Sequence, residues 1–436
     1  MAQDYDYSTT AVDQKSKRGF WSMFVIMMGF TFFSASMWAG ASLGVGLTLK
    51  DFIIAVFLGN LILGAYTGIL AYMASSTGLG LALLSRHAFG RKGSYLPSFL
   101  LAITQIGWFG VGIAMFALPV QKLLQDHGCN LNIWIIIIIA GILMTSSAYW
   151  GIKALAIVSL VAVPAIAVFG CFSVCKVFAD NAGAWSTLTS FTPGSAKMMT
   201  MTTALAVTIG SFISGGTCTP DFVRFAKTKK IAVSTVVLAF FLGNSLMFTF
   251  GAIGGMFYQT NDISDLLVMQ GLLIPGVIVL GLNIWTTNDN ALYTSGLSFA
   301  NIFGWPKKYL VLINGAIGTI LALWLNNNFV SYLVFLNTII PPIGAVMAVD
   351  FFAHRKSYAI ADIKNHKFKT VSWPAVIAWA CGCIVAFNKS WGVPAINGMA
   401  VAGAVYFVIK KIDRMYFSVK NTERIVKKIE KTLVKK

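Results

Sequence analysis

The sequence predicts an all-α, polytopic membrane protein of twelve transmembrane helices. They are arranged as a five-plus-five inverted repeat with helices 1 and 6 broken and two extra helices at the C-terminal end. Three observations predict this. The 436 residues are 57% hydrophobic and 11% charged, with a mean hydropathy of +0.75, where an ordinary soluble chain carries about 25% charged residues. Apolar stretches of about 20 residues recur along the whole length. The two stretches in which small, hydroxyl and proline residues interrupt an apolar run lie five spans apart. Too little polar surface remains for a cytosolic globular enzyme.

Taken in order, the spans fall at about 20–47, 51–73, 94–124, 133–150, 152–178, 198–225, 231–258, 270–303, 309–325, 330–353, 373–388 and 394–412. A polar tail, 1–19, precedes a transmembrane domain at 20–412. Within that domain repeat one covers about 20–178, repeat two about 198–353, and helices 11 and 12 about 373–412. The first apolar stretch is too long for the core of a cleavable signal peptide. A basic tail, 413–436, reads as a solvated or membrane-surface helix. The six cysteines are scattered, without metal-ligand spacing to histidine, and read as small packing residues.

Charge placement gives the orientation. An even number of spans puts both termini on one side, and 28 of the 33 Lys and Arg fall on that side. By the positive-inside rule both termini are cytoplasmic. The net charge of +18 is therefore a topology signal and calls for no nucleic-acid partner. No GxxxxGK[ST], HExxH or GxSxG motif is present, so neither ATP-driven pumping nor hydrolysis is indicated.

The interruptions point to the site. Hydrocarbon cannot satisfy an open backbone group, so a broken helix survives only where it lines a site or packs in protein. The first span reads MGFTFFSASMWAGASLGVGL, and the sixth reads IGSFISGGTCTPDFVRF with Gly210, Gly215, Gly216 and Pro220 inside it. Transporters built from inverted repeats bind substrate at mid-membrane between two such helices. Close packing through small residues is the competing reading for either segment alone.

Span 8 carries the densest polar run, NIWTTNDN, with Asn283, Thr286, Thr287, Asn288, Asp289 and Asn290. Thr286 and Thr287 lie one turn beyond Asn283, which brings their hydroxyls near its carbonyl. Uncharged carbonyl and hydroxyl oxygens suit a small hard cation. With main-chain oxygens of Gly29 and Phe32 at the span 1 break, they form a candidate Na⁺ site. Back-bonding of the hydroxyls to the preceding turn is the alternative. In span 3, Gln105 and Trp108 share a helix face and offer an amide beside a flat indole. That pair suits a planar heterocycle with amide-like edges, with Phe212 as an opposing wall and Ser211 and Ser214 nearby. Asp221, beside Arg224, reads as a structural pair near the cytoplasmic end. Asp289 is left open as a proton carrier, a support for the cation site or a cap for neighbouring amides.

The segments TFFSASMW, TQIGWFGVGIAMFALPV, GSFISGGT, DFVRF, FFLGNSLMF, VLGLNIWTTNDNALYTSGLSFANI and IPPIGAV resemble the bacterial cytosine permeases of nucleobase–cation symporter family 1. The likeness covers nearly the whole chain. It departs at Pro220, where Ala is expected, and in a longer lysine-rich tail. The resemblance implies a LeuT-like five-plus-five fold with two extra helices. It implies a multi-pass protein of the bacterial inner membrane that imports cytosine by Na⁺-coupled symport with alternating access, with no catalytic residues and no obligatory protein partner beyond the lipid bilayer. It places the base between Trp108 and Phe212, its polar edge meeting Gln105, Ser211, Ser214, Asn283 and Asn288. It places Na⁺ on main-chain oxygens of Gly29, Phe32 and Asn283 and on the hydroxyls of Thr286 and Thr287. Another planar nucleobase or hydantoin-like substrate, coupling to H⁺, or a non-transporting role stay open as alternatives.

Overall fold

The computed structural model describes residues 10–150, 152–358, 368–388 and 392–433, with side chains described at 10–149, 161–355, 357–358, 368–388 and 392–413. Among the described residues every regular element is helical, and one extended pairing joins Arg18 to Ala226. The first half holds α1 (Phe20–Thr31), α2 (Ser34–Gly46), α3 (Leu49–Thr77), α4 (Leu81–Phe89), α5 (Tyr95–Asp126), α6 (Ile133–Trp150), α7 (Ile152–Asp180) and α8 (Ala184–Thr189). The second holds α9 (Met201–Thr217), α10 (Thr219–Val223), α11 (Lys229–Ala239), a π turn at Phe240–Asn244, α12 (Ser245–Tyr258), α13 (Ile263–Met269), α14 (Leu273–Phe303), α15 (Lys307–Asn327), α16 (Phe329–Ile339) and α17 (Pro341–Ala353). They are followed by α18 (Arg355–Tyr358), α19 (Trp373–Phe387) and α20 (Pro394–Leu433).

Local chemistry explains the helix ends. Thr48, Thr200 and Thr228 each accept a main-chain N–H three residues on, satisfying one of the open donors of a first turn. Gly78 and Gly304 close α3 and α14 at φ 71° and 70°, where a side chain would be strained.

Among the described residues seven continuous helical stretches are long and apolar enough to cross a membrane, and the bent pair α1–α2 makes an eighth. The helices α6 and α19 are apolar but shorter. The outer face is greasy where a soluble protein would be polar. Ile135, Ile138, Ile139 and Ile142 form an exposed ridge on α6, and Val168 and Phe172 do so on α7. These surfaces require lipid around them.

Two packing groups frame the interior. One joins α5, α6, α14 and α15; the other joins α1, α3, α9 and α11, with α2 against α12. Close approach within each uses glycine. Gly40 and Gly44 on α2 face the main chain of Phe248 and Ala252 on α12, and Gly251 and Gly255 on α12 face that of Met37 and Ala41 on α2, so a Cβ at any of the four would overlap backbone; Gly110 meets Gly318 between α5 and α15.

One expectation needs correction. The glycines of the sixth span do not interrupt it. The helix α9 runs through Gly210, Gly215 and Gly216 to Thr217, and the step comes at Cys218. Glycine keeps its N–H and can stay in the ladder, whereas Pro220 has none to offer the carbonyl of Gly216.

Candidate functional site

The site begins where the first span opens. Between α1 and α2 the chain leaves helical geometry at Phe32 (ψ 76°) and Phe33 (φ −116°, ψ 126°), and the two helices diverge by 52°. The amide of Asn283, on α14, fits this gap. Its Nδ2 donates to Phe32 O at 2.6 Å, while its Oδ1 accepts from Ser34 N at 2.9 Å and Ser34 Oγ at 2.6 Å. One side chain thus satisfies three polar groups that the break would otherwise leave bare in a buried setting.

The same break releases two carbonyls. In a continuous helix Phe33 N and Ser34 N would close on Gly29 O and Phe30 O. They donate instead to Thr31 O (2.9 Å) and to Asn283. One turn along α14, Thr286 Oγ1 donates to Asn283 O at 2.8 Å and Thr287 Oγ1 donates to it at 3.1 Å. Each hydroxyl spends its proton on a carbonyl and keeps oxygen lone pairs. The result is a set of uncharged oxygens on α1 and α14. Among the described residues no group of three His, Cys, Asp or Glu is assembled anywhere, so the donors available here suit an alkali cation better than a transition metal.

Beside this set lies a cleft walled by Phe30 and Phe33 of the first span, Gln105 and Trp108 of α5, Ser211, Phe212 and Gly215 of α9, Cys218, and Thr287, Asn288, Asn290 and Thr294 of α14. No side chain in this wall is charged. Trp108 Nε1 donates to Ser214 Oγ at 2.8 Å, and Gln105 Nε2 points at the same oxygen from 3.5 Å. Phe33 stands edge-on to both Trp108 (5.3 Å) and Phe212 (6.3 Å), bridging the two rings. The free space is about 40 Å³, room for a few waters, so admitting a ring requires these aromatics to swing apart.

The expected residues fall into two places. Gln105, Trp108, Ser211, Phe212 and Asn288 line the cleft, and Ser214 sits behind the Trp108 indole. Ser211 Oγ donates back to Thr208 O, and Asn288 Nδ2 to Phe109 O at 3.2 Å, with Gly112 leaving room for that amide. Asn283 stands at the break rather than in the cleft wall, with Thr286 behind it, while Thr287 touches both regions. Phe30, Phe33, Cys218 and Thr294 were not anticipated.

Asp221 and Asp289 lie apart. Asp289 Oδ1 accepts Ser147 Oγ at 2.7 Å, and that hydroxyl also accepts Trp285 Nε1, so this carboxylate joins α14 to α6. Asp221 Oδ1 accepts Leu81 N at 2.9 Å at the start of α4, and Arg224 Nε donates to the Asp221 main-chain oxygen.

Residues 11–410 match the family of permeases for cytosine/purines, uracil, thiamine and allantoin. The chain is 48% identical over 412 residues to a cytosine permease of Escherichia coli O157:H7, spanning 94% of this chain and 96% of that one. It is 22% identical over 351 residues to a hydantoin permease of Microbacterium maritypicum, covering 71% and 69% of the two chains. Its fold resembles that of Mhp1, a nucleobase–cation-symport-1 family transporter solved in a closed conformation with bromovinylhydantoin bound. The TM-score is 0.78 at 20% identity, over 95% of this chain and 96% of that one.

Proposed function

The chain belongs to the family of permeases for cytosine/purines, uracil, thiamine and allantoin, and on that premise we propose that it imports cytosine across a bacterial inner membrane by symport with Na⁺. It is a multi-pass membrane transporter, not an enzyme. The observation that carries the cytosine reading is the uncharged aromatic cleft. A neutral planar base needs stacking surface and edge hydrogen bonds and no counter-ion. Trp108, Phe33 and Phe212 supply rings, and Gln105, Asn288 and the Ser214 hydroxyl supply edges. The cytosine permease relative favours this base over a hydantoin.

Na⁺ would be held by main-chain oxygens of Gly29, Phe32 and Asn283 with the hydroxyls of Thr286 and Thr287. The fit rests on the released Gly29 carbonyl and on hydroxyls whose protons are already spent. The ion would add positive charge at the open end of α1. Thr287 belongs to both the oxygen set and the cleft wall. Through it, order imposed at one site is felt at the other, and the coupling is reciprocal. Rocking of the α5–α6–α14–α15 group against the group containing α1, α3, α9 and α11 would open the cleft to alternate sides. This reading carries twelve spans, a transmembrane domain at 20–412 between tails 1–19 and 413–436, and both termini in the cytoplasm.

The test is accumulation of unmodified radiolabelled cytosine in proteoliposomes under an inward Na⁺ gradient. Uptake that persists without Na⁺ at fixed pH contradicts the coupling. Absence of uptake with a gradient in either ion contradicts the transport reading. One observation favours a second reading, coupling to H⁺: the buried Asp289 carboxylate, which accepts a hydrogen bond from the Ser147 hydroxyl. Loss of a pH dependence in Asp289→Asn with Na⁺ absent would favour it.

A further inference from the structure

A second and larger cavity, of about 540 Å³, opens one helical turn from the cleft. Its wall takes over where the cleft wall stops: Leu101 precedes Gln105 on α5, Ser298 follows Thr294 on α14, and Asp221 follows Cys218. Its chemistry is opposite. Arg86 on α4, Arg91 in the next turn, Arg224 after α10 and Lys307 at the start of α15 all line it, with Asp221 as the opposing acid. Four cations from four separate segments converge on one space. Charges that served orientation alone would need no such convergence.

The cations are unequally engaged. Lys307 Nζ lies 3.8 Å from the Tyr293 ring centroid, and Arg224 donates to the Asp221 main-chain oxygen. Arg86 Nη2 donates to Asn301 Oδ1 at 2.5 Å, yet among the described residues its buried Nε has no partner. Burial, and then the like charge of Arg91, push the Arg86 guanidinium below the ordinary arginine value. A dianion between the two guanidiniums would relieve that repulsion and take up the open Nε–H. Guanidinium forks match phosphate oxygens in pairs.

We propose that this cavity is a binding site for a phosphate-bearing anion, either free phosphate or the phosphate of a lipid headgroup, held by Arg86 and Arg91 with Arg224 and Lys307 behind them. The binding half of the proposal stands on the cavity alone. Its consequence rests on the proposed transport: an anion here fills the route between the cleft and the cytoplasm and slows release of the base.

The experiment compares the full chain with Arg86→Gln/Arg91→Gln in neutral phosphatidylcholine nanodiscs, in phosphatidylglycerol nanodiscs, and in phosphatidylcholine with millimolar inorganic phosphate at matched ionic strength. The readout is the thermal unfolding midpoint. A rise in the wild type and not in the variant supports the site, and the arm in which it occurs identifies free phosphate or lipid as the source. Equal midpoints of wild type and variant across all three arms overturn it. If the double variant does not fold, the same comparison is made with Arg91→Gln, whose side chain is exposed. In proteoliposomes, saturating internal phosphate or an anionic leaflet should lower initial cytosine uptake at least about threefold in the wild type alone. Uptake in the wild type with no midpoint shift leaves transport standing and removes the anion site. Absence of uptake with a preserved shift does the reverse.

Discussion

The helices that wall the cleft from opposite sides, α1–α2 and α9–α10, are interrupted in different ways. At residues 32–33 the chain abandons the helix, turns by 52° and hands its loose polar groups to one amide from α14. At Cys218 the backbone stays close to helical (φ −78°, ψ −4°), and Cys218 N bonds back to Ser214 O and Gly215 O. Yet α9 carries three glycines close to that step, Gly210, Gly215 and Gly216, and stays helical through all of them. Glycine permits a break without causing one. A break in a membrane persists where something else satisfies the open backbone, and Asn283 does this for the first span. Across the cleft the corresponding tie is a side-chain one, from the Trp108 indole to the Ser214 hydroxyl.

The largest effect should follow Asn283→Leu. It strands Phe32 O and Ser34 N, and each buried unsatisfied group costs about 1–3 kcal/mol. Cytosine binding should weaken at least about thirtyfold, with loss of any response to Na⁺, as read by equilibrium binding on monodisperse protein. Unaltered affinity would mean that the break holds itself open, and the contrast with α9 would lose its cause. Trp108→Phe keeps a ring and deletes the indole N–H. Binding should weaken about tenfold while the response to Na⁺ remains. A larger loss than in Asn283→Leu would reverse the ranking of the two sides.

Ser34→Ala is a finer probe of the first break. It removes the hydroxyl donor and leaves Ser34 N on Asn283 Oδ1. About 0.5–1 kcal/mol is at stake, so affinity should fall about threefold. A loss matching Asn283→Leu would show that the hydroxyl, not the amide bridge, secures the turn.

Much of this architecture was legible beforehand, for a stated reason. Composition and apolar run length report on lipid directly, so the membrane class and the positions of α3, α5, α7 and α15 followed from sequence. The polar run of α14 stood out because an apolar medium makes each Asn and Thr there expensive unless partnered. What sequence could not give was the partner. Asn283 presented an amide and a carbonyl, and nothing local said that the amide reaches the Phe32–Ser34 turn 249 positions away. In the sixth span the glycines give no geometry of their own, since Gly210, Gly215 and Gly216 stay in the helix and the step falls beside Pro220. Phe33 stayed hidden among 33 phenylalanines, since ring contacts between distant helices have no local signature.

The smallest expected effect, Pro220→Ala, tests the other half of the contrast. Pro220 sits at the start of α10 and has no N–H to give the carbonyl of Gly216, the bond a continuous helix would make there. Alanine restores the donor and removes the ring clash, and the neighbouring backbone is already near helical at Cys218 and Arg224. Little has to move for α9 and α10 to become one helix. Affinity and uptake should both stay within about twofold of the wild type, and the thermal midpoint should rise by an amount consistent with one added hydrogen bond, about 1 kcal/mol. Uptake that collapses while binding is intact would make the Cys218 step a hinge used in transport. The two sides would then be functional equals despite their unequal geometry. Binding that collapses as well would show that the proline places Cys218 and Gly215 in the cleft wall.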